Sequence, residues 1–270
     1  MKKFMKMVLF VALFVVIPMV SNLLVLRVIK DVAFINSIRE ETPTSVFVIL
    51  DIISMSLLAL FVKYVRKENP ITFASIKRIT FLNGITCAGV GILLAVFTNS
   101  LVNISGFKMA SVGGSIDWIL SGNIILVLLV TLINSAYKEF CFRGLAFNEL
   151  KSVIPVSLAL VIQAMFYAGE LIYFGNSPSI IFYGFLGQLA FGLVFYFGKS
   201  IYSSLITQVC CSTTLALIRR TEINGHFTQN LSIVLFSVSI AALLAVMAIN
   251  IRRAARQQEP KGDCNVVHPF

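Results

Sequence analysis

The sequence predicts an all-α fold, a polytopic membrane helix bundle with about eight transmembrane helices. Hydrophobic residues make up 58% of the 270 residues and charged residues only 13%, with a mean hydropathy of +0.91. A soluble domain has about 25% charged residues. Apolar runs of about 18 residues or more recur along the whole chain, and each is long enough to cross the hydrocarbon core of a bilayer. The lipid bilayer is therefore the first predicted partner.

The predicted spans, in chain order, lie at about 5–26, 45–65, 79–98, 117–137, 153–174, 179–197, 201–218 and 231–251. The first span resembles a signal peptide, because Lys2, Lys3 and Lys6 precede its apolar stretch. It is longer than such a segment and no Ala-x-Ala cleavage site follows, so we expect an uncleaved helix. Residues 1–251 are expected to form a single transmembrane domain, and residues 252–270 a cytoplasmic basic tail.

The net charge of +10 is best explained by membrane topology. With the N-terminus inside, sixteen Lys and Arg residues fall in cytoplasmic segments and six in outer segments. The positive-inside rule then places both termini in the cytoplasm, which suits an even number of spans. We therefore expect a multi-pass protein of the cell membrane that binds no nucleic acid.

The most informative stretch of the sequence is KEFCFRG, residues 138–144. It follows a run of about 20 apolar residues that begins near Trp118. A charge at the centre of a membrane helix costs about 2.5–3.5 kcal/mol, so such charges usually face a cavity or a partner. Glu139 and Arg143 are four residues apart and can pair on one helical face. That pairing alone is also sufficient to explain their presence.

Four further polar residues lie in predicted spans. Asp51 has no partner nearby in sequence, so we expect it to pair with a cation on another helix or to lie near the outer head groups. If the fourth helix continues to the turn at residues 151–155, Glu139 and Glu170 each lie about 15 residues from that turn, or about 23 Å. The two carboxylates are then expected to face one another. Gln208 and Ser212 share a helical face, which is typical of hydrogen bonds between membrane helices.

The sequence predicts neither a metal site nor a cofactor. Too few potential ligands accompany Glu139 and Glu170 to hold a metal ion. The five cysteines contain no Cys-x-x-Cys pair and are expected to act as small apolar residues. Cys264 does not begin a C-terminal prenylation box, because six residues follow it.

Taken in order, these segments resemble the CAAX protease and bacteriocin-processing family of intramembrane endopeptidases, the relatives of the type II CAAX prenyl endopeptidase. The family motif Glu-Glu-x-x-x-Arg corresponds to residues 138–143, which read KEFCFR. Phe-x-x-x-His corresponds to FYAGE at residues 166–170. His-x-x-x-Asn or Asp corresponds to QVCCS at residues 208–212. The resemblance covers a core of about residues 117–218.

The resemblance implies a catalytic site in which the first Glu activates water while two His and an Asn position the water and the oxyanion. In this sequence those four positions hold Lys138, Glu170, Gln208 and Ser212. Glu139, Arg143 and Phe166 match the motifs. A protonated amine cannot act as a base, and an ionised carboxylate at position 170 repels an oxyanion.

These substitutions favour a degenerate family member, a pseudoenzyme that keeps the fold and binds a membrane peptide or protein partner. Bacteriocin self-immunity or regulation of surface-protein processing would suit such a protein. One alternative is an active endopeptidase with Glu139, Glu170 or a neutral Lys138 amine as base and Gln208 as oxyanion donor. A second alternative is a transporter or channel component with Asp51 and Glu170 as ion sites.

Overall fold

The computed structural model describes residues 2–29, 32–107 and 109–258, and within these residues it contains helices and no strand. The predicted all-α fold is confirmed. The last helix continues through residues 252–258 of the predicted tail. Residues 259–270, with Cys264 and His268, lie outside the described residues.

The helices, in chain order, are α1 (Lys2–Ile29), α2 (Ala33–Glu41), α3 (Val46–Tyr64), α4 (Pro70–Phe73), α5 (Phe81–Asn103), α6 (Ala110–Ile119), α7 (Ile124–Lys138), α8 (Asn148–Lys151), α9 (Val156–Tyr173), α10 (Pro178–Gly198), α11 (Ile201–Arg220) and α12 (Gln229–Gln258). A π-helix, Glu139–Phe147, joins α7 to α8 without a break. The described chain has eight helical segments that are long and apolar enough to cross a membrane. Their number matches the prediction.

The fourth span is displaced along the sequence from its predicted position at 117–137. Trp118 belongs to the separate short helix α6, and the span itself runs from Ile124 to Lys151. Gly122, at φ 92°, makes the turn between them, and the Asn123 side chain caps α7 by accepting from the Ile125 N–H at 2.9 Å. Because the helix continues to Lys151, residues 138–143 lie inside the span rather than at its edge.

Helices α5 and α11 approach each other closely at Gly91. A Cβ atom at this position would lie 2.9 Å from the Cβ of Cys210, and closer still to the Thr207 carbonyl oxygen. The Thr207 hydroxyl in turn donates to the Cys87 carbonyl of α5 at 3.0 Å. A small residue at this crossing allows backbone contact, as is common between membrane helices.

The main apolar core surrounds the π-helix. Phe147 packs edge-to-face on Phe195 of α10, with ring centroids 5.8 Å apart, and Cys141 donates to the Phe14 carbonyl of α1. The Asn148 amide donates to the Phe73 carbonyl at 2.7 Å and to the Gly144 carbonyl at 2.8 Å. These contacts tie the π-helix to α1, α4 and α10 and so fix the position of the charged residues that it carries.

Candidate functional site

The π-helix presents the first motif segment at the centre of the bundle. Its backbone N–H groups bond to carbonyls five residues earlier, so the helix is wider than an α-helix, and such segments frequently occur at functional sites. Glu139 is its first residue, and eight of its nine residues are buried. Lys138, the last residue of α7, immediately precedes it. The change of helix type therefore falls between the two residues that occupy the Glu-Glu positions of the motif.

Glu139 and Arg143 form a fully buried ion pair, as the sequence predicted. Their Oε1 and Nη1 atoms are 3.4 Å apart, and both side chains are 0% exposed. The Ser204 hydroxyl of α11 donates to the other Glu139 oxygen. Arg143 donates to the Gln188 carbonyl of α10, and its guanidinium lies 5.7 Å from the Phe191 ring centroid. The pair thus links the π-helix to α10 and α11.

Buried amide side chains extend this polar centre. Gln163 of α9 is 0% exposed and donates from Nε2 to the Gln188 carbonyl at 3.1 Å, the same oxygen that Arg143 contacts. The Oε1 atoms of Gln163, Gln188 and Gln208 are buried without a hydrogen-bond partner among the described residues. Buried polar groups of this kind are usually paired with protein or water. The centre of the bundle is therefore polar, with acceptor capacity beyond that used by the ion pair.

Lys138 and Glu170 lie apart from this polar centre, in a cavity of about 410 Å³. The Lys138 amine donates to the Tyr167 hydroxyl at 3.2 Å and lies 5.0 Å from the centroid of that ring. Asp51 of α3 lines the same cavity and accepts a hydrogen bond from the Asn134 amide at 2.9 Å. The cavity therefore combines one amine with two carboxyl groups from different helices.

The structure divides the predicted site residues between these two places. Lys138 and Glu170 meet at the cavity, whereas Glu139 pairs with Arg143. We expected the carboxylates of Glu139 and Glu170 to face one another, but in the structure the two carboxylates contact different groups. Lys138 shares the cavity with Glu170, and adjacent residues on a helix point in directions about 100° apart, so Glu139 is turned away from that cavity.

The third motif segment lies on α11. Gln208 is buried one turn after Ser204, the residue that contacts Glu139, and Ser212 is half-buried one turn further on. Neither is among the residues that line the cavity of Lys138 and Glu170. The shared face predicted for Gln208 and Ser212 therefore continues from the Glu139 contact, on the side of the ion pair.

Asp51 does have a partner on another helix, but its hydrogen bond comes from the amide of Asn134 and not from a cation. Three contributors to the site, Gln163, Gln188 and Ser204, were not singled out from the sequence. Two of them are amides within apolar spans, which is the signal that identified Gln208. Among the described residues, no group of three His, Cys, Asp or Glu side chains is arranged to hold a metal ion.

The fold and the site define a class: a multi-pass helical membrane protein with a buried Glu–Arg pair beside an intramembrane cavity. Residues 120–214 match the family model described as Type II CAAX prenyl endopeptidase Rce1-like. All three motif segments lie within this match, and the predicted core was 117–218. The match confirms the predicted family resemblance over this segment of the chain. Comparisons with curated proteins and with solved structures give no match.

Proposed function

We propose that this protein is a non-catalytic member of the family that binds a membrane peptide or protein partner in the cavity lined by Lys138 and Glu170. One observation carries the proposal: the position of the family's base is an amine, and that amine donates a hydrogen bond to Tyr167. Peptide hydrolysis needs a base within reach of the attacking water. A protonated amine that donates to a phenol does not meet this requirement.

The neighbouring carboxylate does not replace the missing base. Glu139 is fully buried, with Arg143 on one oxygen and Ser204 on the other. Both contacts stabilise the ionised carboxylate and hold it in place. Its role in the proposal is structural, to hold the π-helix against α10 and α11.

The oxyanion side of the family mechanism is also altered. Donors aimed at a developing oxyanion are typically worth about 2.7–4 kcal/mol each. Glu170 offers acceptor oxygens at one of these positions when it is ionised. Gln208 retains a donor, but it lies on the side of the ion pair. Base and donor therefore do not converge on one cavity.

The biological setting in the proposal is the cell membrane, with both termini in the cytoplasm. Self-immunity against a bacteriocin, or regulation of a partner that processes surface proteins, would require binding without cleavage. These two biological roles are taken from likeness to the family, because the fold alone does not determine an activity.

A cleavage assay tests the proposal. The purified full chain in lipid nanodiscs is offered prenylated and plain membrane peptides, beside Glu139→Gln and Glu170→Gln variants and an active protease of the family as positive control. We expect products from the positive control and none from the three forms of this protein. Cleavage by the wild type that is lost in either variant would establish a rebuilt active site and overturn the proposal.

The transporter alternative draws on Asp51 and Glu170 lining one cavity. It predicts proton or cation flux into liposomes that falls when either carboxyl is neutralised. Our proposal predicts no flux above that of empty liposomes.

A further inference from the structure

The cavity of Lys138 and Glu170 extends beyond the segment that matches the family. Asp51 belongs to α3, whereas the matched segment begins at residue 120. It is only 4% exposed, and among the described residues its carboxylate accepts a hydrogen bond from a neutral amide, that of Asn134. Among the described side chains, no Lys, Arg or His nitrogen lies within 4.0 Å of the Asp51 or Glu170 carboxylate. Carboxylates in a membrane usually pair with a cation. Lys138 is the cation that acts on both carboxylates, but it forms no direct ion pair with either.

The charges of the cavity do not balance. Two carboxylates and one ammonium leave one net negative charge when all three groups are ionised. The ammonium is directed to the Tyr167 hydroxyl rather than to either carboxylate. An unpaired charge in an apolar environment is strongly unfavourable, and either a proton or a bound cation relieves it.

The aromatic lining of the cavity independently indicates the same kind of ligand. Six of its residues are aromatic, namely Phe47, Trp118, Tyr137, Tyr167, Tyr173 and Phe174. Trp118 is the one tryptophan of the sequence. Aromatic rings attract cations through their electron-rich faces, and clusters of rings recognise ammonium groups. The remaining lining is largely apolar, which suits a cation carried on an apolar chain.

We infer that this cavity binds an ammonium group carried on an apolar chain, between Asp51 and Glu170. The inference rests on the proposed function only where the carrier is a peptide, because a lysine side chain and a free alkylamine present the same ammonium chemistry. Lys138 is then an internal competitor for the two carboxylates. Removing its charge strengthens binding, and removing either carboxylate weakens it.

The full chain in nanodiscs provides the test. The probes are a labelled apolar 20-residue helical peptide with one central lysine, the same peptide with acetyl-lysine, and dodecylammonium as a competitor. For the lysine peptide we expect Asp51→Asn and Glu170→Gln to raise the Kd at least tenfold. Lys138→Gln should lower the Kd severalfold, a change in the opposite direction that misfolding does not produce. Glu222→Gln, on an exposed segment, is the matched control and should leave the Kd unchanged.

The arms of the experiment separate the two proposals. Equal Kd values for the lysine and acetyl-lysine peptides overturn the ammonium inference and leave peptide binding intact. Binding of dodecylammonium alone, sensitive to Asp51→Asn, supports the ammonium site and counts against a peptide partner. No binding of either probe overturns the inference.

Discussion

At the scale of single residues, the main feature of the bundle is the buried ion pair of Glu139 and Arg143. Both side chains are fully buried, so removal of one charge leaves the other without its partner. Breaking such a pair from one side costs about 3–5 kcal/mol, whereas replacing both by apolar groups is often neutral. The pair is therefore better regarded as a specific contact between helices than as a source of net stability.

This asymmetry predicts the behaviour of Arg143→Met and of its double variant with Glu139→Gln, and the single variant Glu139→Gln is measured beside them. Arg143→Met should lower the free energy of unfolding by about 3–5 kcal/mol. The double variant Glu139→Gln with Arg143→Met should recover part of that loss, since no uncompensated charge remains. Denaturant unfolding in detergent measures both, with Glu222→Gln as an exposed control. A double variant whose loss equals the sum of the two single losses would show that the residues are not coupled.

Sequence reasoning identified the charged residues and missed several of their partners. The spacing of Glu139 and Arg143 was sufficient to predict their pairing. Ser204 and Gln188 contact that pair from other helices, and no spacing rule relates them to it. The separate surroundings of Lys138 and Glu139 follow from helix rotation, which is readable only once the packing faces are known.

At the scale of the helices, the close contact of α5 with α11 depends on a glycine. Gly91 allows its backbone to approach Cys210 and Thr207, whereas a Cβ atom at Gly89, on the same helix, would have nothing within 4 Å. Gly91 is buried and Gly89 is exposed, so two glycines of the same helix differ in their packing. Packing at the crossing, rather than helix flexibility, accounts for Gly91.

Alanine at these two positions should have opposite effects. Gly91→Ala forces α5 and α11 apart and should destabilise the protein by about 1–3 kcal/mol. Gly89→Ala meets open space and should be neutral or stabilising by up to about 1 kcal/mol, because alanine favours a helix. Thermal unfolding in the same detergent compares them. Equal destabilisation by both substitutions would contradict the close approach at Gly91.

The elements were predicted more reliably in number than in boundary. Hydropathy over 18 or more residues identifies a span without knowledge of its neighbours, so all eight were found. The break before Ile124 was missed because Trp118, Ile119 and Leu120 are as apolar as the span that follows. The π-helix has no residue pattern of its own, and its backbone geometry depends on the helices packed around it.

At the scale of the whole molecule, an even number of spans places the N-terminus and the C-terminus on the same side of the membrane. The charge distribution predicts that this side is the cytoplasm. The cavity lined by Asp51 and Glu170 also contains Thr44 and Asn176, which flank the segments predicted to lie outside. In the predicted topology, this end of the cavity therefore lies towards the outer side of the membrane.

Cysteine labelling tests this topology. In a Cys264→Ser background, Glu222→Cys should react with a membrane-impermeant maleimide in intact cells. Arg78→Cys, also exposed, should react only after the cells are opened. The reverse pattern would show that the charge distribution was misread and that both termini lie outside.

The central claim is that the cavity binds a peptide that the protein does not cleave. Benzoylphenylalanine at Phe174, which lines the cavity, can be compared with the same group at Phe182, and the two side chains are similarly exposed, at 58% and 54%. After irradiation with the central-lysine peptide, intact mass spectrometry reports what is attached. We expect uncut peptide crosslinked at position 174 and far less at position 182. Peptide fragments that disappear in the Glu139→Gln variant would contradict it and identify a working protease.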